Sequence, residues 1–248
     1  MSAVGKEDII RSLRDVGLES DALLMVHSSL SGFGKVIGGA DTVIEALLEV
    51  VSVGTIVMPT YTDRSLSRDR GRDLREYDAR TERAITGVVS ERFRLRRDVI
   101  RQPQDPWHPM AVWGRYQKAL IEAPAGSTYR FLMEHGGQTL LIGVGSEVHS
   151  FIHWMLDEAP ELGAPGTGVG AHSKLFPRLD PWMEKHGAER SLLCGGSRLR
   201  LIDLAKARSA SYQALREQPD LLQTPSTLAE DAYRINITMP KPLRKVDP

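Results

Sequence analysis

The stretch MVHSSLSGFGKVIGGADTVIEALLEVVSVGTIVMPT, residues 25–60, decides the fold. A short apolar run over residues 23–26 predicts a buried strand, and His27, Ser28 and Ser29 follow it directly, where α/β proteins hold their ligands. The residues after them predict a glycine-containing loop, a helix over residues 41–52 with Asp41 as its N-cap, and a second strand over residues 55–59. A strand, a polar glycine loop and a helix N-terminus together suit an anionic, phosphate-bearing ligand. The glycine spacing matches neither the dinucleotide fingerprint nor the P-loop.

Working outward, alternating strand and helix patterns predict an α/β fold. The chain of 248 residues is interpreted as one domain over residues 1–248. We expect strands near residues 23–27, 55–59, 98–101, 110–114, 138–143 and 191–202. We expect helices near residues 4–16, 41–52, 84–95, 115–122, 127–135, 147–157 and 203–217.

The composition limits the partners. Lys plus Arg and Asp plus Glu both number 32, so no net charge favours nucleic acid or an anionic membrane. No apolar run reaches the roughly 20 residues that span a bilayer, and the charged N-terminal residues do not resemble a signal peptide. The single cysteine, Cys194, follows two leucines and is predicted to be a buried strand residue in a cytoplasmic protein.

Two loops have unusual composition. Residues 63–76 carry five arginines among acids, and this predicts either a solvated surface loop or a lid whose arginines meet a polar substrate. The arginines are Arg64, Arg68, Arg70, Arg72 and Arg75. Residues 160–181 are rich in Gly and Pro and are expected to form an irregular crossing loop.

His149, His153 and Asp157 form the sharpest candidate cluster. If residues 147–157 are helical, the three side chains have spacing i, i+4, i+8 and share one face. His153 could then be a general base, the three could bind a divalent metal, or the histidines could be structural. The residues alone leave these alternatives open.

Three ordered motifs carry a family resemblance. VHSSLSGFG with its following helix and strand, DPWHPMAVWG at residues 105–114, and GGQTLLIGVGSEVHSFIHW at residues 136–154 resemble the aminoglycoside 3-N-acetyltransferase family. The resemblance extends over residues 25–222 and implies a layered α/β/α fold with a central mixed sheet. It also implies an antibiotic-resistance type of N-acetyltransferase, which uses acetyl-CoA as co-substrate and needs no metal. The implied partner is a small-molecule amine, an aminoglycoside or an amino sugar, with a homodimer as a possible assembly.

The resemblance also assigns roles to residues. His153 falls on the position of the catalytic histidine, and Glu147 and Asp157 are the candidate carboxylates beside it. Where the family commonly has a carboxylate three residues after the histidine, this chain has Leu156. The residues expected to bind the coenzyme are His27, Ser28, Ser29, Leu30, Gly34, Thr81, Gly87, His108 and Ser127.

Other functions remain as alternatives at this point. A metal-dependent hydrolase would use His149, His153 and Asp157, and a coenzyme-binding domain without activity would keep only the Ser/Gly loop. Within the acetyltransferase interpretation, the arginines of residues 63–76 favour a neutral or phosphate-bearing amine over a polycation.

Overall fold

A seven-stranded mixed sheet forms the centre of the molecule. The computed structural model describes residues 3–66, 76–159 and 173–222. The sheet order is β3-β4-β2-β1-β5-β7-β6; β2, β1 and β5 are parallel, and the outer strands pair antiparallel. The strands are β1 Leu23–Ser28, β2 Thr55–Pro59, β3 Ile100–Arg101, β4 Met110–Gly114, β5 Gln138–Ile142, β6 Glu189–Cys194 and β7 Ser197–Asp203.

Helices cover both faces of the sheet. The helices are α1 Lys6–Asp15, α2 Gly39–Val50, α3 Val88–Arg94, α4 Gln117–Glu122, α5 Thr128–Glu134, α6 Ser150–Asp157, α7 Asp180–Lys185 and α8 Leu204–Glu217. The buried residues of α1, α2 and α3 form one apolar core, and those of α4 to α8 form a second. Alternate residues of β1 belong to opposite cores, Leu24 and Val26 to the first and Leu23 and Met25 to the second, as the pleat of a strand requires. The predicted α/β/α layers with a central mixed sheet are confirmed.

The central strands follow the sequence prediction closely. All five residues of β2 are buried, because a strand with neighbours on both sides and a helix layer on each face has no exposed position. In the described residues no helix is long and apolar enough to cross a membrane. The single-domain boundary over residues 1–248 stays a prediction.

The prediction of one strand over residues 191–202 is wrong. The segment is a hairpin of β6 and β7, with Cys194 paired to Ser197 across the turn. Gly195 permits this turn because its φ is +59°, in the left-handed region that other residues rarely adopt. The side chain of Cys194 is buried, as expected.

The predicted helix over residues 147–157 is also wrong at its start. A short 3₁₀ helix, Ser146–Val148, comes first, and α6 begins only at Ser150. His149 is the N-cap residue with φ −76° and ψ 86°, so it is outside the helix that carries His153. The three-residue helical stripe through His149 therefore does not form.

The predicted helix cap at Asp41 differs as well. The helix expected from Asp41 begins at Gly39, and Asp41 in its first turn pairs with Arg92 instead of capping. Ser127 stands at the N-cap position of α5, and its hydroxyl donates to the carbonyl of Pro124. In the region expected to be irregular, Ser173–Leu179 forms a 3₁₀ helix that leads into α7.

Arg64 does not behave as a lid residue. Its side chain is buried and donates to the Glu82 carboxylate at 2.9 Å and to the carbonyl of Glu76. Arg68, Arg70, Arg72 and Arg75 lie outside the described residues, as do residues 160–172. Arg64, the arginine of this group that lies among the described residues, is therefore held by an ion pair with Glu82.

Candidate active site

A cavity of about 760 Å³ opens at the carboxyl ends of the parallel strands. It lies where ligands of open α/β sheets are usually bound, and its volume is in the range of small-molecule sites. The walls come from the ends of β1 and β2, the loop before β4, the starts of α3 and α5, and one side of α6. The polar lining residues are His27, Ser28, Tyr61, Thr86, Ser90, Asp105, His108, Thr128, Tyr129, Glu147, Ser150, His153, Asp157 and Ser173.

The loop after β1 packs tightly against the end of β5. The amide of Ser29 donates to the carbonyl of Ile142 at 2.9 Å, which extends the parallel pairing by one bond. A β-carbon on Gly32 would lie 2.9 Å from the α-carbon of Gly143, so both positions need the close backbone approach that glycine permits. The Ser/Gly loop is thus held close to β5, and His27 and Ser28, the last two residues of β1 before it, line the cavity.

His27, at the end of β1, and His149, before α6, form a histidine pair in which His27 is half-buried and lines the cavity. Their ring centroids are 6.1 Å apart in an edge-to-face arrangement, and His149 is fully buried. Burial lowers the pKa of His27 to about 4. It also lowers the pKa of His149 well below the ordinary value, with smaller contributions from His27, Arg200 and His153. Both rings are therefore neutral at neutral pH, because a charged form would lose its hydration.

His153 lies in a different environment, on the cavity wall. It is half-buried on α6, and its ring packs edge-on against Phe176 with centroids 4.5 Å apart. Asp157 follows one helical turn later, and Glu147 lies on the preceding 3₁₀ helix; both are exposed and both line the cavity. Glu147 also accepts a hydrogen bond from the amide of Gly145 at 3.1 Å. His153 therefore shares the cavity wall with two exposed carboxylates, those of Glu147 and Asp157.

A buried ion-pair network supports the loop that carries Glu147. The guanidinium of Arg200 donates to the Ser146 hydroxyl at 2.9 Å and forms a two-bond pair with Glu189. Asp180, at the start of α7, contacts both Arg200 and Ser146. Ser146 immediately precedes Glu147, so this network connects the cavity loop to β6, β7 and α7.

Asp105 organises the opposite wall. One of its oxygens accepts from the amides of Trp107 and His108, and the other accepts from the amide of Gly126 at 3.1 Å. The carboxylate therefore holds the His108 loop against the start of α5. The ring of His108 contacts that of Tyr61 edge-on, with centroids 5.6 Å apart.

The sequence reasoning missed Tyr61 and Tyr129. Their hydroxyl oxygens are 2.8 Å apart at the cavity wall, which Ser150 also lines. The signal available in the sequence was weak: Tyr61 stands two residues after the end of β2, a usual place for a site residue, whereas Tyr129 is one of several aromatics on α5.

The described part of the cavity lining carries an uneven charge. It includes three carboxylates, Asp105, Glu147 and Asp157, and no Lys or Arg. Such a wall favours a cationic ligand over an anionic one. This contrasts with the expectation, based on the arginines of residues 63–76, of a neutral or phosphate-bearing amine.

Some of the residues predicted for the site line the cavity: His27, Ser28, His108, Glu147, His153 and Asp157. The others lie outside its wall. Gly87 borders it, since a β-carbon there would be 3.7 Å from the carbonyl of Ser28, and Ser127 stands between Gly126 and Thr128, which both line it. Thr81 donates to Asp78, while Ser29, Leu30 and Gly34 shape the Ser/Gly loop. Their roles in coenzyme binding stay predictions.

The metal-hydrolase alternative finds no support in this geometry. His149 and His153 do not share a helical face, and among the described residues no group of three His, Cys, Asp or Glu side chains is arranged to hold a metal ion. Leu156, at the position where the resemblance implies a carboxylate, is buried in the core.

A family model described as aminoglycoside 3-N-acetyltransferase matches residues 25–216. The chain belongs to the aminoglycoside 3-N-acetyltransferase family. The resemblance drawn from the three motifs is confirmed, and the enzyme class in the family's name, an N-acetyltransferase, agrees with the predicted one.

Individual relatives support this assignment over different lengths. The chain is 50% identical over 56 residues to the aminoglycoside N(3')-acetyltransferase-like protein YokD of Bacillus subtilis, which is 22% of this chain and 21% of that protein. It is 28% identical over 173 residues to aminoglycoside N(3)-acetyltransferase III of Serratia marcescens, which is 62% of this chain and 64% of the relative. The alignments thus span less than two thirds of either relative.

Solved structures show the same fold. The apoenzyme of aminoglycoside acetyltransferase AAC(3)-IVa matches with a TM-score of 0.78 at 23% identity, covering 94% of this chain and 98% of that one. A mutant of the same enzyme was solved in complex with a gentamicin. The AAC-IIIb complex with CoASH matches with a TM-score of 0.72 at 22% identity, covering 91% of this chain and all of that one.

Proposed function

We propose that this chain transfers the acetyl group of acetyl-CoA directly to a primary amine of an aminoglycoside or amino-sugar-like substrate. The observation that carries the proposal is that one cavity is lined both by His27 and Ser28, at the end of β1 before the Ser/Gly loop, and by His153 with two carboxylates. Family membership supports the reaction class. The complex of AAC-IIIb with CoASH supports the choice of coenzyme.

His153 would act as the general base. As the amine nitrogen attacks the thioester carbonyl, the side chain of His153 accepts a proton from the nitrogen. The carbon–sulfur bond then breaks, and His153 returns the proton to the departing sulfur, which leaves as the free thiol. Glu147 and Asp157 stabilise the imidazolium that forms, because they place negative charge on the same wall. Binding both substrates in one cavity supplies much of the acceleration through proximity.

The charge of the cavity favours a cationic acceptor. The two exposed carboxylates attract an ammonium group, and the buried Asp105 adds negative potential from the opposite wall. A polycationic aminoglycoside or a singly charged amino sugar therefore suits the described lining better than a phosphate-bearing amine. A cytoplasmic location and a homodimer remain predictions.

The direct test is acetyl-CoA-dependent release of free thiol with a panel of amines. The panel includes aminoglycosides, 2-amino-2-deoxy sugars and phosphate-bearing amines, and acetyl-CoA alone is the blank. We expect release with cationic amines and little with phosphate-bearing ones. No amine-dependent release across the panel would reject the proposal.

A Ser28→Tyr variant tests the place of the coenzyme. A bulky ring at the end of β1 would fill the cavity beside the Ser/Gly loop, so we expect calorimetric titration to show no coenzyme A binding. Ser52→Tyr is the matched control, because Ser52 is exposed and precedes β2 at the opposite end of the sheet; this variant should bind normally. Unchanged affinity in a folded Ser28→Tyr protein would place the coenzyme elsewhere.

A further inference from the structure

Three hydroxyl groups from separate segments line the cavity wall. They belong to Tyr61 after β2, Tyr129 on α5 and Ser150 on α6, and we call them the hydroxyl cluster. The two phenolic oxygens are 2.8 Å apart, and the Ser150 hydroxyl lines the same cavity. The reaction described above uses none of these groups.

The hydroxyl cluster is uncharged and can both donate and accept hydrogen bonds. Burial raises the pKa of both phenols, that of Tyr129 well above its ordinary value, and the negative charge of Asp105 raises them further. Each hydroxyl has one proton and two lone pairs. One phenolic proton serves the bond between the two tyrosines, and either tyrosine can be its donor. The cluster can therefore rearrange to donate to a ligand oxygen and to accept from a ligand hydrogen.

The position of the cluster places it near the reacting groups. Ser150 precedes His153 by three residues on α6, so the two side chains lie on one side of the helix and both line the cavity. Trp154 stacks on the ring of Tyr129 with centroids 6.4 Å apart, and His108 packs against Tyr61. These contacts fix the rings, so the hydroxyl groups have defined positions.

We propose that Tyr61, Tyr129 and Ser150 are specificity-determining residues, which bind a hydroxyl group of the acceptor close to the amine that is acetylated. A ligand hydroxyl both donates and accepts, and it therefore matches the two-way bonding of the cluster better than an alkyl group or an anion does. The favoured substrate class is thus an amine that carries a neighbouring hydroxyl group. This inference rests on the proposed acetyl transfer.

The test compares two acceptors that differ by one hydroxyl, 2-aminocyclohexanol and cyclohexylamine. Wild-type protein should prefer the amino alcohol in kcat/KM by about tenfold, the amount expected for a well-placed hydrogen bond. Tyr61→Phe and Tyr129→Phe keep the packed rings and remove one hydroxyl each. The ratio of kcat/KM for the amino alcohol to that for cyclohexylamine should therefore fall towards one. The KM for acetyl-CoA should not change.

Tyr77→Phe is the matched control. Its hydroxyl donates to the carbonyl of Gln102 at 3.3 Å and does not line the cavity, so this variant should keep the wild-type preference. Equal loss with both acceptors, or a raised KM for acetyl-CoA, would overturn the inference and assign the cluster to the coenzyme. An unchanged preference in both cluster variants would also overturn it.

Calorimetric binding of the two amines separates this inference from the proposed reaction. If no amine supports thiol release, the proposed reaction is rejected. Tighter binding of the amino alcohol than of cyclohexylamine, lost in Tyr61→Phe, would still support hydroxyl recognition by the cluster. Equal binding of the two amines to wild-type protein would reject it.

Discussion

The histidine pair of His27 and His149 and the α6 wall of the cavity contain the same residue type in opposite environments. His149 is fully buried against His27, whereas His153, four residues later, is half-buried and lines the cavity together with Glu147 and Asp157. Burial lowers the pKa of His149 and of His27, whereas His153 shares its wall with the carboxylates of Glu147 and Asp157. Spacing along the chain therefore does not assign the base; the local dielectric and charge do.

The difference originates where the chain changes from the 3₁₀ helix Ser146–Val148 to α6. His149 lies at this junction and turns inwards, and the following helix presents His153 to the cavity. The network of Arg200, Glu189 and Asp180 fixes the junction through the Ser146 hydroxyl. Any change that releases the junction should reduce the distinction between the two histidines.

Replacing His153 should have the largest effect. General-base catalysis contributes about 10²–10⁴-fold, so His153→Ala should lower kcat by that factor. Coenzyme affinity should stay close to that of wild-type protein because the Ser/Gly loop is a separate segment. Steady-state kinetics and calorimetric titration measure the two quantities.

His149→Phe is the matched variant for this comparison. It retains a buried ring beside Phe151 and removes both ring nitrogens, and we expect kcat to change by less than about threefold. Equal losses of kcat in His149→Phe and His153→Ala would mean that His149 and His153 act together.

Breaking the supporting network should mainly lower stability. Glu189 and Arg200 are both buried, and removing one partner of such a pair costs about 3–5 kcal/mol in the free energy of unfolding. Glu189→Gln should show this loss in denaturant unfolding, together with a reduced kcat. Glu184→Gln, which removes an exposed partner of Arg198, should cost less than about 1 kcal/mol. Similar costs for the two variants would show that the buried network does not stabilise the junction.

His27 and His149 should make the protein less stable in acid. The folded-state pKa of His27, about 4, is below the ordinary histidine value of 6.5. As the pH falls below 6.5, the unfolded chain takes up protons that the folded protein does not. The free energy of unfolding should therefore decrease between pH 6.5 and 4, by at most about 3 kcal/mol for His27.

His149→Phe should reduce this acid sensitivity, because the pKa of His149 is also lowered by burial. Denaturant unfolding at pH 8 and pH 5 would measure how much the free energy of unfolding changes with pH in each protein. Any packing strain from the new ring affects both pH values equally, so it does not contribute to this difference. An identical pH dependence in wild-type and variant proteins would show that His149 titrates normally.

Much of the sheet could be predicted because its central strands are short apolar runs bounded by turn residues. The bounds of β2 and β4 agree with the sequence prediction, and β1 differs by one residue. The hairpin of β6 and β7 was missed because Gly195 and Gly196 interrupt a run that otherwise has uniform strand character. A turn with positive φ decides the structure there, and hydrophobic periodicity does not report it.

The site was less predictable than the sheet. His153 could be selected only through the family resemblance, because helical spacing favoured His149 equally. Tyr61 and Tyr129 are 68 positions apart in the sequence, and their hydroxyl contact exists only after β2 and α5 are brought together across the sheet. The charge expected from Arg64 was misleading because a buried ion pair with Glu82 holds that side chain.

The pH dependence of kcat/KM for the amine, at saturating acetyl-CoA, tests most directly whether His153 is the base. We predict an acidic limb in the range where histidine ordinarily titrates, near pH 6.5. The limb should persist in His149→Phe and disappear from the residual activity of His153→Ala. A limb near pH 4, where burial places the pKa of His27, or a limb that His149→Phe removes and His153→Ala retains, would contradict the account.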